Sequence, residues 1–197
     1  WHFEALAAAG VREVVINTAW LEEQFPAALG DGSRWGLRIR YVFEGRDHGG
    51  ALDISGGIAN ALPLLGAAGG DRGFWVVSGD VFVPGFDFGA AHAERFARSD
   101  EWAHLWLVPN APHHPQGDFG IDAATGLATF LPPRRTWASV GLFRAALFEG
   151  IAPGTRLPLL PRLTAALAAG RLGAEAWDGP WTDVGTVERL QALNRPD

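Results

Sequence analysis

Phe74-Trp75-Val76-Val77-Ser78-Gly79-Asp80-Val81 is the stretch on which the fold turns. Its apolar run is too short for a helix and ends in β-branched residues, so it reads as a buried strand. Gly79 then stops the run and leaves Asp80 just past the strand's carboxyl end. In open α/β sheets that rim is where ligands bind. Upstream, Val11 to Asn17 carries a second buried run in Val14, Val15 and Ile16. Leu37 to Phe43 alternates with Arg38 and Arg40, as a strand with one wetter face does. Helical stretches separate these strands: Trp1 to Ala9 closed by Gly10, Trp20 to Leu29 weakened near Pro26, and Ile58 to Leu65 irregular at Pro63. Phe86 to Arg98 is amphipathic, and Leu105 to Val108 is another buried strand. Strand and helix alternate, which predicts an α/β sandwich with a mostly parallel sheet flanked by helices.

The second half departs from that rhythm. Phe119-Gly120-Ile121, Leu127 to Leu131 and Trp137 to Phe143 read as strands, with a tight turn at Ala124-Thr125-Gly126. They suggest a β-hairpin excursion covering one side of the sheet. Arg156 to Ala169 is a helix ended by Gly170, and Val187 to Leu193 a short final one. Gly45 to Gly57 holds five glycines and no apolar period, so it reads as a loop. With no repeat and no low-complexity linker, residues 1–197 are expected to form a single domain.

Composition narrows the function. With 48% hydrophobic and 19% charged residues the chain can bury a core. The net charge is −6 and all 16 basic residues are arginine, which argues against a nucleic-acid partner. Without lysine, lysine chemistry is excluded; without cysteine, so are disulfides and thiolate metal sites. No apolar run approaches the ~20 residues that span a bilayer, so no membrane partner is expected and a cytoplasmic address is compatible. The absence of Met, with Trp1 opening directly into a helix, leads us to expect that a leading segment precedes this chain.

Trp181-Thr182-Asp183-Val184-Gly185-Thr186 echoes the first stretch, 103 positions after Asp80. If the fold joins them, Asp80 and Asp183 form a two-carboxylate seat for Mg²⁺, suited to phosphoryl or nucleotidyl transfer. Taken alone, Asp80 could cap a turn, and Asp183 could hold the turn before Thr186, a plausible helix N-cap. Asp53-Ile54-Ser55-Gly56-Gly57 is a glycine-rich approach to a helix, either an anion cradle or an ordinary loop capped at Ser55. In Val108 to Phe119, the neighbouring His113 and His114 would point to opposite sides of an extended chain and fit a rigid loop between Pro112 and Pro115 better than a metal site. Asn110 and Asp118 flank that loop and could grip sugar hydroxyls.

Several of these motifs resemble the sugar-phosphate nucleotidyltransferases. The likeness lies in Leu6 to Leu21, Gly30-Asp31-Gly32-Ser33-Arg34, Gly56-Gly57-Ile58 with Ala61 to Gly66, Gly79-Asp80-Val81, Asn110 to Phe119, Ala146 to Gly150 and Asp183 to Thr186. It runs over nearly all of the chain, and is nearest to the branch that uridylylates N-acetylmuramate 1-phosphate in peptidoglycan recycling. The resemblance implies a Rossmann-like sheet, with UTP and a sugar 1-phosphate as substrates, pyrophosphate released and Mg²⁺ as cofactor. It implies Asp80 and Asp183 as metal ligands. Gly56 and Gly57 would approach the base, with Asp53 where the branch has Glu and Ser78 where Asn is common. Asn110, Gly117 and Asp118 would contact the sugar.

The family's glycine-rich signature, with the Arg and Lys that hold the triphosphate, would precede Trp1. No catalytic residue from it is therefore expected within this chain, and the chain alone is expected not to turn over. The Gly45–Ala51 connection is longer than usual, Ile54 replaces a Thr, and Trp137-Ala138-Ser139-Val140 does not reproduce the branch's Ser-Gly-Ile. Three other readings compete: a guanylyl- or thymidylyltransferase on a hexose 1-phosphate, a metal-dependent glycosyltransferase, and a non-catalytic sugar-nucleotide binding module.

Overall fold

The computed structural model describes residues 1–66 and 72–194. In chain order the elements are α1 (His2–Ala8), β1 (Glu13–Thr18), α2 (Gln24–Leu29), β2 (Arg38–Phe43), α3 (Glu44–His48), α4 (Asp53–Leu65), β3 (Phe74–Val77), β4 (Val81–Phe82), α5 (Ala90–Arg98), β5 (Ala103–Val108), β6 (Gly120–Ile121), β7 (Ala128–Thr129), β8 (Thr136–Phe143), α6 (Leu160–Ala168), β9 (Leu172–Ala176), β10 (Thr182–Asp183) and α7 (Val187–Leu193).

Strand β5 is the core of the molecule, with all six residues buried. Its period of two splits the interior into two layers. Ala103, Leu105 and Leu107 face one side with Phe143, Phe148, Leu163 and Leu172, against which Ile58 and Leu62 of α4 pack. Trp106 and Val108 face the other with Val140, Leu142, Phe88, Phe96 of α5 and Leu6 of α1. Helices thus cover both faces of the sheet, and each fully buried leucine contributes ~2 kcal/mol.

The main sheet has the order β3-β8-β5-β9. β9 runs parallel to β5, while β8 is antiparallel to both β3 and β5, so three of its four strands share one direction. β1 and β2 form a separate parallel pair, from Glu13↔Arg38 to Thr18↔Phe43. The α/β class expected from the sequence is therefore present. Trp137 to Phe143, however, belongs to the centre of the main sheet as β8, and only β6 and β7 make the hairpin excursion. Alternation of Ala138, Val140 and Leu142 suits a strand in either place; the burial of nearly the whole of β8 shows which one it takes.

Other boundaries moved for physical reasons. β3 is half-buried rather than buried, because it pairs with β8 alone and leaves one edge without a strand among the described residues. The stretch read as a loop, Gly45 to Gly57, holds α3 and the first turn of α4. Glu22 caps α3 by accepting the amides of Gly45 at 2.7 Å and Arg46 at 2.9 Å, a partner no local pattern reveals. Ser55 consequently lies inside α4 and is no N-cap. α5 and α6 begin later than expected, at Ala90 and Leu160. β9 was not foreseen, since Leu172-Gly173-Ala174 has little strand propensity and is held by burial against β5.

Candidate functional site

A ladder of two residues per strand brings the distant carboxylates together. β4 and β10 pair antiparallel with Asp183↔Val81 and Thr182↔Phe82, and the Val184 amide donates to the Asp80 carbonyl at 2.8 Å. Trp181 pins the approach to β10 by donating its indole N–H to the Ala138 carbonyl of β8 at 3.0 Å. The turn after β10 then feeds α7, capped by Thr186, whose side chain accepts from the Arg189 amide.

Both carboxylates are held in place, Asp80 through one oxygen and Asp183 through both, since Asp183 Oδ1 accepts the Gly185 amide at 2.7 Å. Asp80 Oδ1 accepts from the Ser78 hydroxyl at 2.5 Å. Asp183 Oδ2 lies 3.1 Å from Arg189 Nη1 and 3.8 Å from His113 Nε2. The other two oxygens converge over Gly185. A Cβ placed on that glycine would stand 3.0 Å from Asp80 Oδ2 and 3.1 Å from Asp183 Oδ1. The two oxygens are thus no further apart than those distances laid end to end, and any side chain at 185 would fill the space between them.

That space suits a hard divalent cation. Mg²⁺ takes one or two protein carboxylates and draws its remaining ligands from water and substrate phosphates. Among the described residues no group of three or more His, Cys, Asp or Glu side chains is arranged to hold a metal, so a closed all-protein cage is not what this chain builds.

The pair opens onto a cleft of ≈ 390 Å³ lined by Ser78, Asp80, Val81, His113, His114, Thr136, Trp137, Ser139, Trp181 and Asp183. Ser139 adopts φ 57° there, a left-handed conformation that costs any residue bearing a Cβ. Its strand position gave no sequence signal for the strain. Behind the cleft, His2 of α1 stands against the backbone of Val81 and Ser78, and burial lowers its pKa below the usual imidazole value.

The remaining sequence candidates stand around this centre in different ways. Asn110 braces its loop: its amide donates to the carbonyls of Pro115 and Arg134, both at 3.0 Å, and its oxygen accepts from Thr136. Gly117, at φ 61°, is required because a Cβ would strike Asn110 Oδ1 and the Arg135 carbonyl. Asp118 accepts the Trp137 amide at 2.8 Å and pairs with His114 at 3.1 Å. These three shape the loop bearing the two histidines, and none of them lines the cleft. Gly56 and Gly57 are buried within α4, where Cβ atoms would strike the Thr155 carbonyl and Glu44 respectively. Asp53 is exposed at the start of that helix with φ 61°.

Arg189 was missed in the sequence. Its only signal was a cation six residues beyond Asp183, on a helix whose register the Thr186 cap sets.

No family model matches the chain. It is 41% identical over 194 residues to the N-acetylmuramate alpha-1-phosphate uridylyltransferase of Neisseria meningitidis serogroup B, spanning 97% of this chain and 80% of that protein. A glucose-1-phosphate thymidylyltransferase of Streptomyces griseus is 28% identical over 98% of the chain, which spans 55% of that relative's length. Among solved structures, HddC of Yersinia pseudotuberculosis superposes with a TM-score of 0.70 at 17% identity over 96% of the chain and 80% of HddC, a likeness of fold. Identity of 41% across almost the whole sequence, together with this paired-carboxylate cleft, shows that the chain belongs to the sugar-1-phosphate nucleotidyltransferase family.

Proposed function

We propose that the protein at its natural length works on UTP and N-acetylmuramate 1-phosphate, making the nucleotide sugar and pyrophosphate, with Mg²⁺ seated between Asp80 and Asp183 of this chain. The observation that carries the reading is the convergence of Asp80 Oδ2 and Asp183 Oδ1 over Gly185. A phosphate oxygen of the sugar attacks the α-phosphorus in line; that P–O bond forms as the bond to the β-phosphate oxygen breaks, and the electron pair leaves with pyrophosphate. Bound there, the cation would neutralise charge on the phosphates. The chain's own part is positional. Ser78 fixes Asp80, and the Gly185 amide fixes Asp183 by donating to Oδ1 at 2.7 Å. Trp137 and Trp181 wall the cleft, with Ser139 offering a hydroxyl beside them and Thr136 tied back to Asn110.

In this reading the sugar lies toward the loop of Asn110, Gly117 and Asp118, whose side chains are spent on holding its shape. The base lies toward Asp53 and the backbone around Gly56 and Gly57. Residues 1–197 act as one nucleotidyltransferase domain, in cell-wall recycling, and a nucleoside triphosphate substrate puts the reaction in the cytoplasm. Thymidylyl transfer to glucose 1-phosphate is the second reading, favoured by the Streptomyces griseus relative.

The test is pyrophosphate release by the protein at its natural length. UTP, dTTP and GTP are each paired with N-acetylmuramate, glucose and mannose 1-phosphates in the presence of Mg²⁺. Highest kcat/KM for UTP with N-acetylmuramate 1-phosphate is expected. Preference for dTTP with glucose 1-phosphate would replace the reading by the second one.

A further inference from the structure

Asp183 carries a second relationship that the transfer reaction does not explain. Its Oδ2 faces Arg189 Nη1 at 3.1 Å, and the same nitrogen lies 3.2 Å from His113 Nε2. Arg189 Nη2 stands 3.7 Å from the point where a Gly185 Cβ would sit, so the guanidinium borders the space between the two carboxylates. The arginine is not a floppy surface cation. Its side chain is 33% exposed, and its Nε is buried with no hydrogen-bond partner. A buried donor without an acceptor costs free energy, so packing and the contacts of Nη1 hold the guanidinium here.

Electrostatics indicates what such a cation does. Two carboxylates alone attract a divalent ion strongly, and a fixed positive charge at hydrogen-bonding distance from one of them cancels part of that attraction. A polyphosphate reverses the balance, because its negative charge meets both the ion and the guanidinium. We propose that Arg189 is a positioning residue that acts through Asp183: it keeps the carboxylate pair from holding a divalent cation on its own, so that the cation is taken up together with a polyphosphate. The proposal rests on the metal seat of the proposed function. Lysine would preserve the charge but lose the planar fork that spans Asp183 and the space above Gly185.

The test is Mn²⁺ binding by the whole chain, followed by electron paramagnetic resonance with and without tripolyphosphate, with melting curves to verify folding. In the unaltered protein, tripolyphosphate is expected to tighten Mn²⁺ binding at the protein site. Arg189→Gln should tighten Mn²⁺ binding without polyphosphate by about tenfold and shrink the gain that tripolyphosphate gives. Arg189→Lys should fall between the two. A merely structural role would loosen the site instead of tightening it. Unchanged or weaker Mn²⁺ binding in a folded Arg189→Gln protein overturns this proposal and leaves the metal seat standing. Absence of protein-bound Mn²⁺ in both proteins, with and without tripolyphosphate, overturns the metal seat and this proposal together. Should Arg189→Gln fail to fold, Arg189→Lys carries the test alone: Mn²⁺ binding without polyphosphate as weak as in the unaltered protein, with an unchanged tripolyphosphate gain, refutes the role of the guanidinium fork.

Discussion

Two acidic pairs sit against the same main sheet and have opposite fates. Glu101 and Glu175 enclose His104, with Glu101 Oε2 2.8 Å from Nδ1 and Glu175 Oε2 3.6 Å from Nε2. Glu175 also takes Arg95 at 2.7 Å and the Trp106 indole N–H. Asp80 and Asp183 instead border a shared space beside an open cleft, Asp80 with Oδ2 and Asp183 with Oδ1, which takes one backbone amide, that of Gly185, and keeps a lone pair. A carboxylate whose acceptors are filled by the protein is a structural device. One that keeps a lone pair facing an open space is available for a ligand. The count of acids in the sequence could not separate these cases, because the difference lies in what surrounds each oxygen.

The sharpest way to break the comparison is to neutralise one acid in each pair. Asp80→Asn or Asp183→Asn should cut kcat/KM about a thousandfold, equivalent to about 4 kcal/mol of transition-state stabilisation, while leaving the melting temperature nearly unchanged. Equal losses of activity and stability would place these aspartates with the structural pair. Next in size is Gly56→Ala, which drives a Cβ into the Thr155 carbonyl of the neighbouring loop. It should cost about 3 kcal/mol of unfolding free energy, and denaturant titration is the check.

Glu175→Gln should come third, at about 2 kcal/mol after allowing for its partial exposure, with no change in Mn²⁺ binding. Its pH dependence follows from the partners. Burial pushes the Glu175 carboxyl up, but the nearby His104 ring, 3.6 Å away, and the Arg95 charge outweigh it and hold the group at about 2, against 4.5 ordinarily. That stability is present above pH 4.5 and is lost as pH falls toward 2. Burial pushes His104 down, yet the hydrogen bond to Glu101 and the negative charge of Glu175 close by raise it above 6.5. Its contribution is complete below pH 6.5 and is lost as pH rises through the elevated value. The cluster therefore stabilises fully between pH 4.5 and 6.5, and Glu175→Gln should flatten a melting-temperature profile across that window. A profile identical to the unaltered protein would remove the cluster from the account. The smallest effect is a gain: Ser139→Gly should add about 1 kcal/mol by relieving a left-handed backbone, read as a higher midpoint in urea.

Much of this was legible in the chain. The buried strand Leu105–Val108 followed from its short apolar run, and the pairing of Asp80 with Asp183 from two distant segments that each set an aspartate among small or apolar residues. Local pattern could not place β8, since Ala138, Val140 and Leu142 alternate in a central strand as they would in a hairpin. Nor could it find α3, whose amides are capped by Glu22 from another segment. Asn110 and Asp118 carry the right chemistry for sugar hydroxyls, but the fold spends their side chains on Pro115, Arg134, Thr136, Trp137 and His114. Arg189 was invisible because its partner depends on the register of α7 after a glycine turn. Single residues set by long-range contact were the ones the sequence concealed.

The most direct trial of the central claim is anomalous diffraction from crystals of the protein grown with Mn²⁺ and UTP. The account requires one peak between Asp80 Oδ2 and Asp183 Oδ1, roughly 2.0–2.2 Å from each oxygen, as a small octahedral cation demands. A peak bound by only one of the two aspartates, or lying outside the cleft, would contradict it.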